Sequence, residues 1–239
     1  MKFRNALRMA AEGARANLLP GLLLQALMLV FLALYVAHED TRRFLAQVAA
    51  LKHEVGYGFA FAAYVLSAAI LPEMLRIAFF QAGRVTRRNL WNLLTGAPAW
   101  GVMGMVVDAF YRVQLACFGA GNDWQTIVIK VLIDQFVFSP LLSNPLIVGY
   151  FSWRDAGFRR AAARRIFGRG FYLERVIPVQ VAGWCVWIPG VALVYFMPPE
   201  LQLPTASLIQ AFWVLVFLFV NRPRQTDAPP DSGKDSISG

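Results

Sequence analysis

KVLIDQFVFSPLLSNPLIVGYFSW, residues 130–153, decides how the chain is read. It is long and apolar enough to cross a bilayer, which takes about 20 residues of helix. Yet Lys130, Asp134, Gln135, Ser139, Pro140, Ser143, Asn144 and Pro145 all lie in the part that lipid would surround. An ionisable group at that depth is costly, so it faces a protein interior or a wet path and marks a functional site by default. The stretch therefore predicts a helix of a membrane bundle with a polar face turned inward.

Five further apolar blocks flank it. Together they predict spans at 18–37, 55–82, 93–118, 125–150, 176–197 and 205–221. Alternation with period two is missing, which excludes a membrane β-barrel and leaves helices. Residues 38–54 place Phe44, Leu45, Val48, Ala49 and Leu51 at helical spacing among charges, the pattern of an amphipathic surface helix. The fold class expected is all-α, a multi-pass transmembrane bundle of about six spans. Its parts are a basic N-terminal segment with the first span and surface helix (1–54), a five-span core (55–221) and a disordered tail rich in Pro, Ser, Gly and Asp (222–239).

Composition agrees. The chain is 58% hydrophobic and 15% charged, with a net charge of +9, and its mean hydropathy is +0.50. A soluble domain is about 45–50% apolar and about 25% charged. One alternate set of loops carries sixteen Lys and Arg, seven of them between 154 and 175, and the other set only Arg42, Arg43 and Lys52. That bias puts both termini on the cytoplasmic side. The uncharged run 18–37 is longer than the about 7–15 residues of a cleaved signal and suits a retained signal anchor. The Arg-rich start also fits a mitochondrial presequence. Arg159, Arg160, Arg164 and Arg165 are candidates for anionic lipid, although an ordinary cytoplasmic loop would look the same. No basic stripe interleaved with exposed aromatics is present, which argues against nucleic acid. No internal repeat is evident, which counts against an inverted-repeat transporter.

Within the expected spans the charges come in opposite pairs on one helix face: Glu73 with Arg76, Asp108 with Arg112, Lys130 with Asp134. The third and fourth spans are joined only by GAGNDW (119–124) and should form an antiparallel hairpin. Counting back from that turn sets Arg112 level with residue 131 and Asp108 level with residue 135. Arg112 is then expected to reach Asp134, gathering Asp108, Arg112, Lys130, Asp134 and Gln135 into one cluster. Ala97, Gly101 and Gly104 offer a flat strip for that meeting. Pro140 and Pro145 cannot bond back to Phe136 and Leu141, so those carbonyls need other donors. Such a cluster either lines a narrow aqueous path or only holds helices in register; Glu73 and Arg76 form a separate inner pair that gates or snorkels. Gln25, Gln180 and Gln210 suit interhelical hydrogen bonds.

No enzyme constellation is visible. His38 and His53 are fifteen apart and outside the spans, and no zincin, nucleophile-elbow or P-loop motif occurs. Asp108 and Asp134 are the one possible carboxylate dyad, but Arg112 and Lys130 beside them oppose acid–base work. Cys117 and Cys185 lack metal-ligand spacing, and no cofactor or metal is called for.

The segment KVLIDQFVFSP resembles one in the Mpv-seventeen / peroxisomal membrane protein of twenty-two kilodaltons family, in which Asp-Gln follows a basic residue and precedes a proline. TGAPAWGVMGMVVDAFYRVQ is similar to that family's Gly-Pro element and aromatic-Tyr pair, with Pro98, Phe110 and Tyr111 as matches. WCVWIPGVALVYFMP resembles its Trp-Pro segment through Trp187 and Pro198, and AFWVL matches its late tryptophan at Trp213. The similar region is about residues 55–220. Val194-Tyr195 stands where the family has Asn-Phe, Ile188 interrupts its Trp-Pro, Gln202 replaces an Arg, and an extra first span precedes the core. The resemblance implies a small integral protein of the mitochondrial inner or peroxisomal membrane, or of the cell inner membrane in a bacterial member, forming a weakly selective channel for small metabolites.

Two functions follow as expectations. One is a channel-like protein passing small polar or ionic solutes with weak selectivity along Lys130, Asp134, Gln135, Asp108 and Arg112. The other is a non-conducting scaffold that meets membrane lipids through its arginines.

Overall fold

The computed structural model of the chain describes residues 2–220, with side chains described at 15, 18, 19 and 21–213; the expected disordered tail at 222–239 lies outside them. The described residues are helical with no strand. Helix α1 (Lys2–Ala37) turns by 100° at His38 into α2 (Glu39–Val55). Acids in the first turn of α2 and Lys52 and His53 in its last suit the helix dipole. Next come α3 (Tyr57–Tyr64), a π-helical stretch (Val65–Ile70) and α4 (Leu71–Phe80), then α5 (Arg87–Phe118). Helix α6 (Trp124–Ile133) runs through a π-helical stretch (Asp134–Ser143) into α7 (Asn144–Asp155). The short α8 (Arg160–Ile166), a π-helical turn (Tyr172–Val176) with α9 (Ile177–Phe196), and α10 (Pro199–Val220) complete the chain.

Four continuous rods, Tyr57–Phe80, Arg87–Phe118, Trp124–Asp155 and Tyr172–Phe196, are long and apolar enough to cross a membrane, and the bent α1–α2 pair makes a fifth if taken as one span. Only 28–39% of the most apolar stretch of each rod is buried. Large side chains such as Leu66 and Leu141 therefore point outward, more than 60% exposed, as does Leu29 on α1. Apolar surface on that scale belongs against lipid rather than water.

The prolines explain how the rods stay satisfied. In a π-helix the N–H of a residue bonds the carbonyl five back, as Asn144 does to Ser139. Pro140 therefore frees the carbonyl of Gln135, and Pro145 frees that of Pro140, rather than those of Phe136 and Leu141. The Gln135 carbonyl accepts from Gln180 Nε2 at 3.0 Å and Trp184 Nε1 at 3.4 Å. The Pro140 carbonyl accepts from the Tyr172 hydroxyl at 3.0 Å. Pro189 likewise frees Cys185 four back in α9, and Gln25 Nε2 of α1 donates to it at 2.9 Å. Backbone acceptors away from water are thus met by side chains of neighbouring helices.

The hairpin register holds to within about a residue. Gln114 Nε2 donates to the Lys130 carbonyl at 3.0 Å, and the Tyr150 hydroxyl to Thr95 at 2.8 Å. At the turn, Gly119 takes φ 73°, a region a side chain disfavours. Asp123 caps α6 by accepting from Thr126 N at 2.9 Å, and with the Thr126 hydroxyl this holds its carboxyl below the usual range.

The small-residue strip faces elsewhere than expected. A Cβ on Gly101 would overlap the Phe61 ring, and one on Gly104 would overlap the Ala60 carbonyl oxygen and stand 2.8 Å from Tyr64 Cβ. The strip therefore packs α5 against α3, not against the fourth span. Gly101, Gly104 and Asp108 follow one helix stripe, while Phe110 and Gln114 lie about 160° and about 120° around from Asp108 and take the face toward the rod Trp124–Asp155.

Candidate functional site

Asp108 and Asp134 sit in different surroundings. Asp108 is fully buried on α5. Its Oδ2 pairs with Arg112 Nε at 2.8 Å, the expected pair on one face, and its Oδ1 with Lys52 Nζ at 3.0 Å. The Arg112 guanidinium lies 4.8 Å above the Tyr57 ring, with its side chain half exposed. Arg112 does not reach Asp134, because the helix turn that gives Gln114 to α6 carries Arg112 to the opposite face. The single five-residue cluster is therefore two sites.

Lys52 is the unexpected member. Helix α2 lies over the end of the bundle that carries the Gly119 loop, with Leu45 packed on Met197 and Leu201. Lys52 falls seven residues after Leu45 and so shares that inward stripe, where it is 9% exposed. Its ammonium enters the bundle from a helix that otherwise covers it.

Asp134, 4% exposed, begins the π-helical stretch. Its Oδ2 accepts from the Tyr195 hydroxyl at 2.9 Å and its Oδ1 from Gln135 Nε2 at 2.8 Å. Gln114 Nε2 also donates to the Tyr195 oxygen at 3.3 Å, and the Tyr111 ring stands edge-on to Tyr195 at 5.5 Å. The expected Lys130–Asp134 pair is not formed. Side chains on a helix lean toward its N-terminus, so Lys130 extends away from Asp134 and donates to the Gly119 carbonyl at 2.6 Å.

Beside Asp134 lies a cavity of about 350 Å³ between α3, α5, the π-helical stretch, α7, α9 and α10. Asp134, Gln135, Ser139, Ser143, Asn144, Gln180 and Gln210 give its wall polar groups, and Tyr64, Tyr111, Trp100, Trp187 and Trp213 give it aromatic faces. Asn144 Nδ2 donates to Gln180 Oε1 at 2.5 Å. Among the described residues that line it, Asp134 is the one carboxylate, and no Lys, Arg or His is present. Toward the Gly119 end, Phe110 stacks on Phe138 with centroids 3.9 Å apart. Tyr111, Trp187 and Trp213, which the family resemblance singled out, thus meet at one cavity with Asp134 and Gln135. Pro98 and Pro198 are exposed and do not line it.

The Glu73–Arg76 pair is a third site. Glu73 is 6% exposed and accepts from Asn89 Nδ2 at 2.7 Å and Asn92 Nδ2 at 3.0 Å, while Arg76 Nε is 3.7 Å away. Two amides of α5 therefore clamp this acid more closely than its arginine does. Arg159, Arg160, Arg164 and Arg165 are all exposed. Arg165 joins Arg169 and Arg175 around a recess of about 460 Å³, with Glu174 on the same wall, and Arg175 Nη1 donates to Ser152 Oγ at 3.2 Å.

Sequence reasoning missed Lys52, Gln114 and Tyr195 as partners of these acids. Lys52 carried a signal in its place on an apolar stripe. Tyr195 carried none, being one hydroxyl in an apolar run. Compared with protein-family models, with curated proteins and with solved structures, the chain finds no match in any of the three.

Proposed function

We propose that the chain is a six-span membrane protein, both termini on the cytoplasmic side, that passes small polar or ionic solutes with weak selectivity. The observation that carries this is the polar cavity beside Asp134, set within rods that otherwise turn apolar side chains outward. Asp134, Gln135, Asn144 and Gln180 bond to one another along this wall, and with Ser139, Ser143 and Gln210 they give the open volume a polar lining that a solute can use. The Phe110–Phe138 stack and the Tyr195–Asp134 bond stand toward the Gly119 end of this path and would narrow it. With one acid and no base on the wall, cations are favoured over anions, a sharper expectation than a mixed-sign lining gives. The resemblance to the Mpv-seventeen family supports the same reading and remains part of the proposal. In proteoliposomes the protein is expected to release trapped potassium salt faster than empty vesicles, and Asp134→Asn to slow that release several-fold. Equal release from protein-containing and empty vesicles contradicts it.

A non-conducting, lipid-binding scaffold is the second reading, favoured by the arginine-walled recess at Arg165, Arg169 and Arg175. Each arginine near an anionic surface is worth about 1 kcal/mol. Neutralising all three is then expected to abolish retention of anionic lipid through purification while the fold survives. Unchanged retention counts against it.

A further inference from the structure

Asp134 presents an imbalance that the fold does not correct. Among the described residues, no Lys, Arg or His stands within ion-pair distance of its carboxyl. Lys52 is engaged with Asp108, and Lys130 reaches away to the Gly119 carbonyl. Both carboxyl oxygens instead accept hydrogen bonds from neutral donors, Tyr195 and Gln135. Those bonds orient the group as an acceptor but do not neutralise it. A carboxylate that is 4% exposed, with no counter-charge beside it, favours a cation in the space it borders.

The space it borders suits one kind of counter-charge. Aromatic faces attract cations through their ring quadrupoles, and attract them most when water is excluded. The wall sets Trp100, Trp187, Trp213, Tyr64 and Tyr111 around a volume with a single acid. A hard metal ion requires several oxygen ligands to replace its water. Among the described residues no group of three His, Cys, Asp or Glu offers such a set. The cavity of about 350 Å³ is at the small end of ligand sites, which run from about 300 to 1,000 Å³. We infer that the cavity is a binding site for a small organic ammonium cation, its charge met by Asp134 and its alkyl groups by the tryptophan and tyrosine faces. This rests on the reading that solutes reach the cavity, and it names their class.

Choline and its uncharged carbon isostere, 3,3-dimethylbutan-1-ol, are suitable probes. Equilibrium dialysis of radiolabelled choline against the full chain in lipid nanodiscs is expected to show saturable binding that the isostere fails to displace. Asp134→Asn is expected to weaken binding by about tenfold or more, the worth of one charge-assisted contact, while Asp134→Glu retains it. Absence of saturable choline binding, displacement by the isostere as effective as by choline itself, or unchanged affinity in Asp134→Asn overturns the inference. The isostere comparison uses the unaltered protein and does not depend on a variant folding. Choline binding without salt release from proteoliposomes would sink conduction and leave this site standing. Salt release that depends on Asp134 without choline binding would do the reverse.

Discussion

Replacing Lys52 by Met destabilises the protein by about 3 kcal/mol, and adding Asp108→Leu to that variant restores most of the loss. Removing one partner of a buried ion pair leaves an uncompensated charge and costs about 3–5 kcal/mol, whereas replacing both by apolar groups is often neutral. The lower end applies because Arg112 still holds Asp108 Oδ2 at 2.8 Å. In the double variant Arg112 loses its acid but is half exposed and reaches solvent. Equilibrium unfolding in mixed micelles measures both. Losses that add, with the double variant weaker than either single one, would show that Lys52 and Asp108 do not stabilise the bundle as a pair. The same comparison bears on α2, because Lys52 is its charged tie to the bundle, beside the apolar contact of Leu45 with Met197 and Leu201.

Gly104→Leu is expected to cost about 1–3 kcal/mol or more, at the top of the range for overpacking. A Cβ there meets the Ala60 carbonyl oxygen, which is backbone and cannot swing aside, so α3 and α5 must separate. Separation would disturb Tyr64 and Met103, which lie beside the contact and line the cavity. Val102→Leu, on the exposed face of the same helix, is the control and should be silent. Thermal loss of the monodisperse fraction on size exclusion reports both changes. Equal midpoints for the two variants would mean that the strip does not set the distance between the helices.

The helices were legible because apolar runs of span length leave little choice in a chain this short of charge. Hairpin register was legible too, since a six-residue link fixes which residues lie level. The face each helix presents was not. Asp108 and Phe110 are two residues apart yet point to opposite sides of α5, and only the packing of Gly101 and Gly104 on α3 decides between them. The π-helical register at Asp134–Ser143 was also hidden. Pro140 announces a freed carbonyl, but which carbonyl depends on whether the ladder runs four back or five. The wet-looking wall was half legible: Asp134, Gln135, Ser139 and Ser143 come from one stretch, while Trp100, Gln180 and Gln210 arrive from distant spans.

Access of water to the cavity is the central claim, and cysteine modification tests it most directly. In protein lacking Cys117 and Cys185, Ser139→Cys and Ser143→Cys place thiols on the cavity wall, and Leu141→Cys places one on the outward face between them. A charged, water-soluble methanethiosulfonate reagent applied to vesicles should label positions 139 and 143 and spare 141. Thiols at 139 and 143 as inert as the one at 141 would mean that the polar wall encloses a dry core and that no solute passes along it.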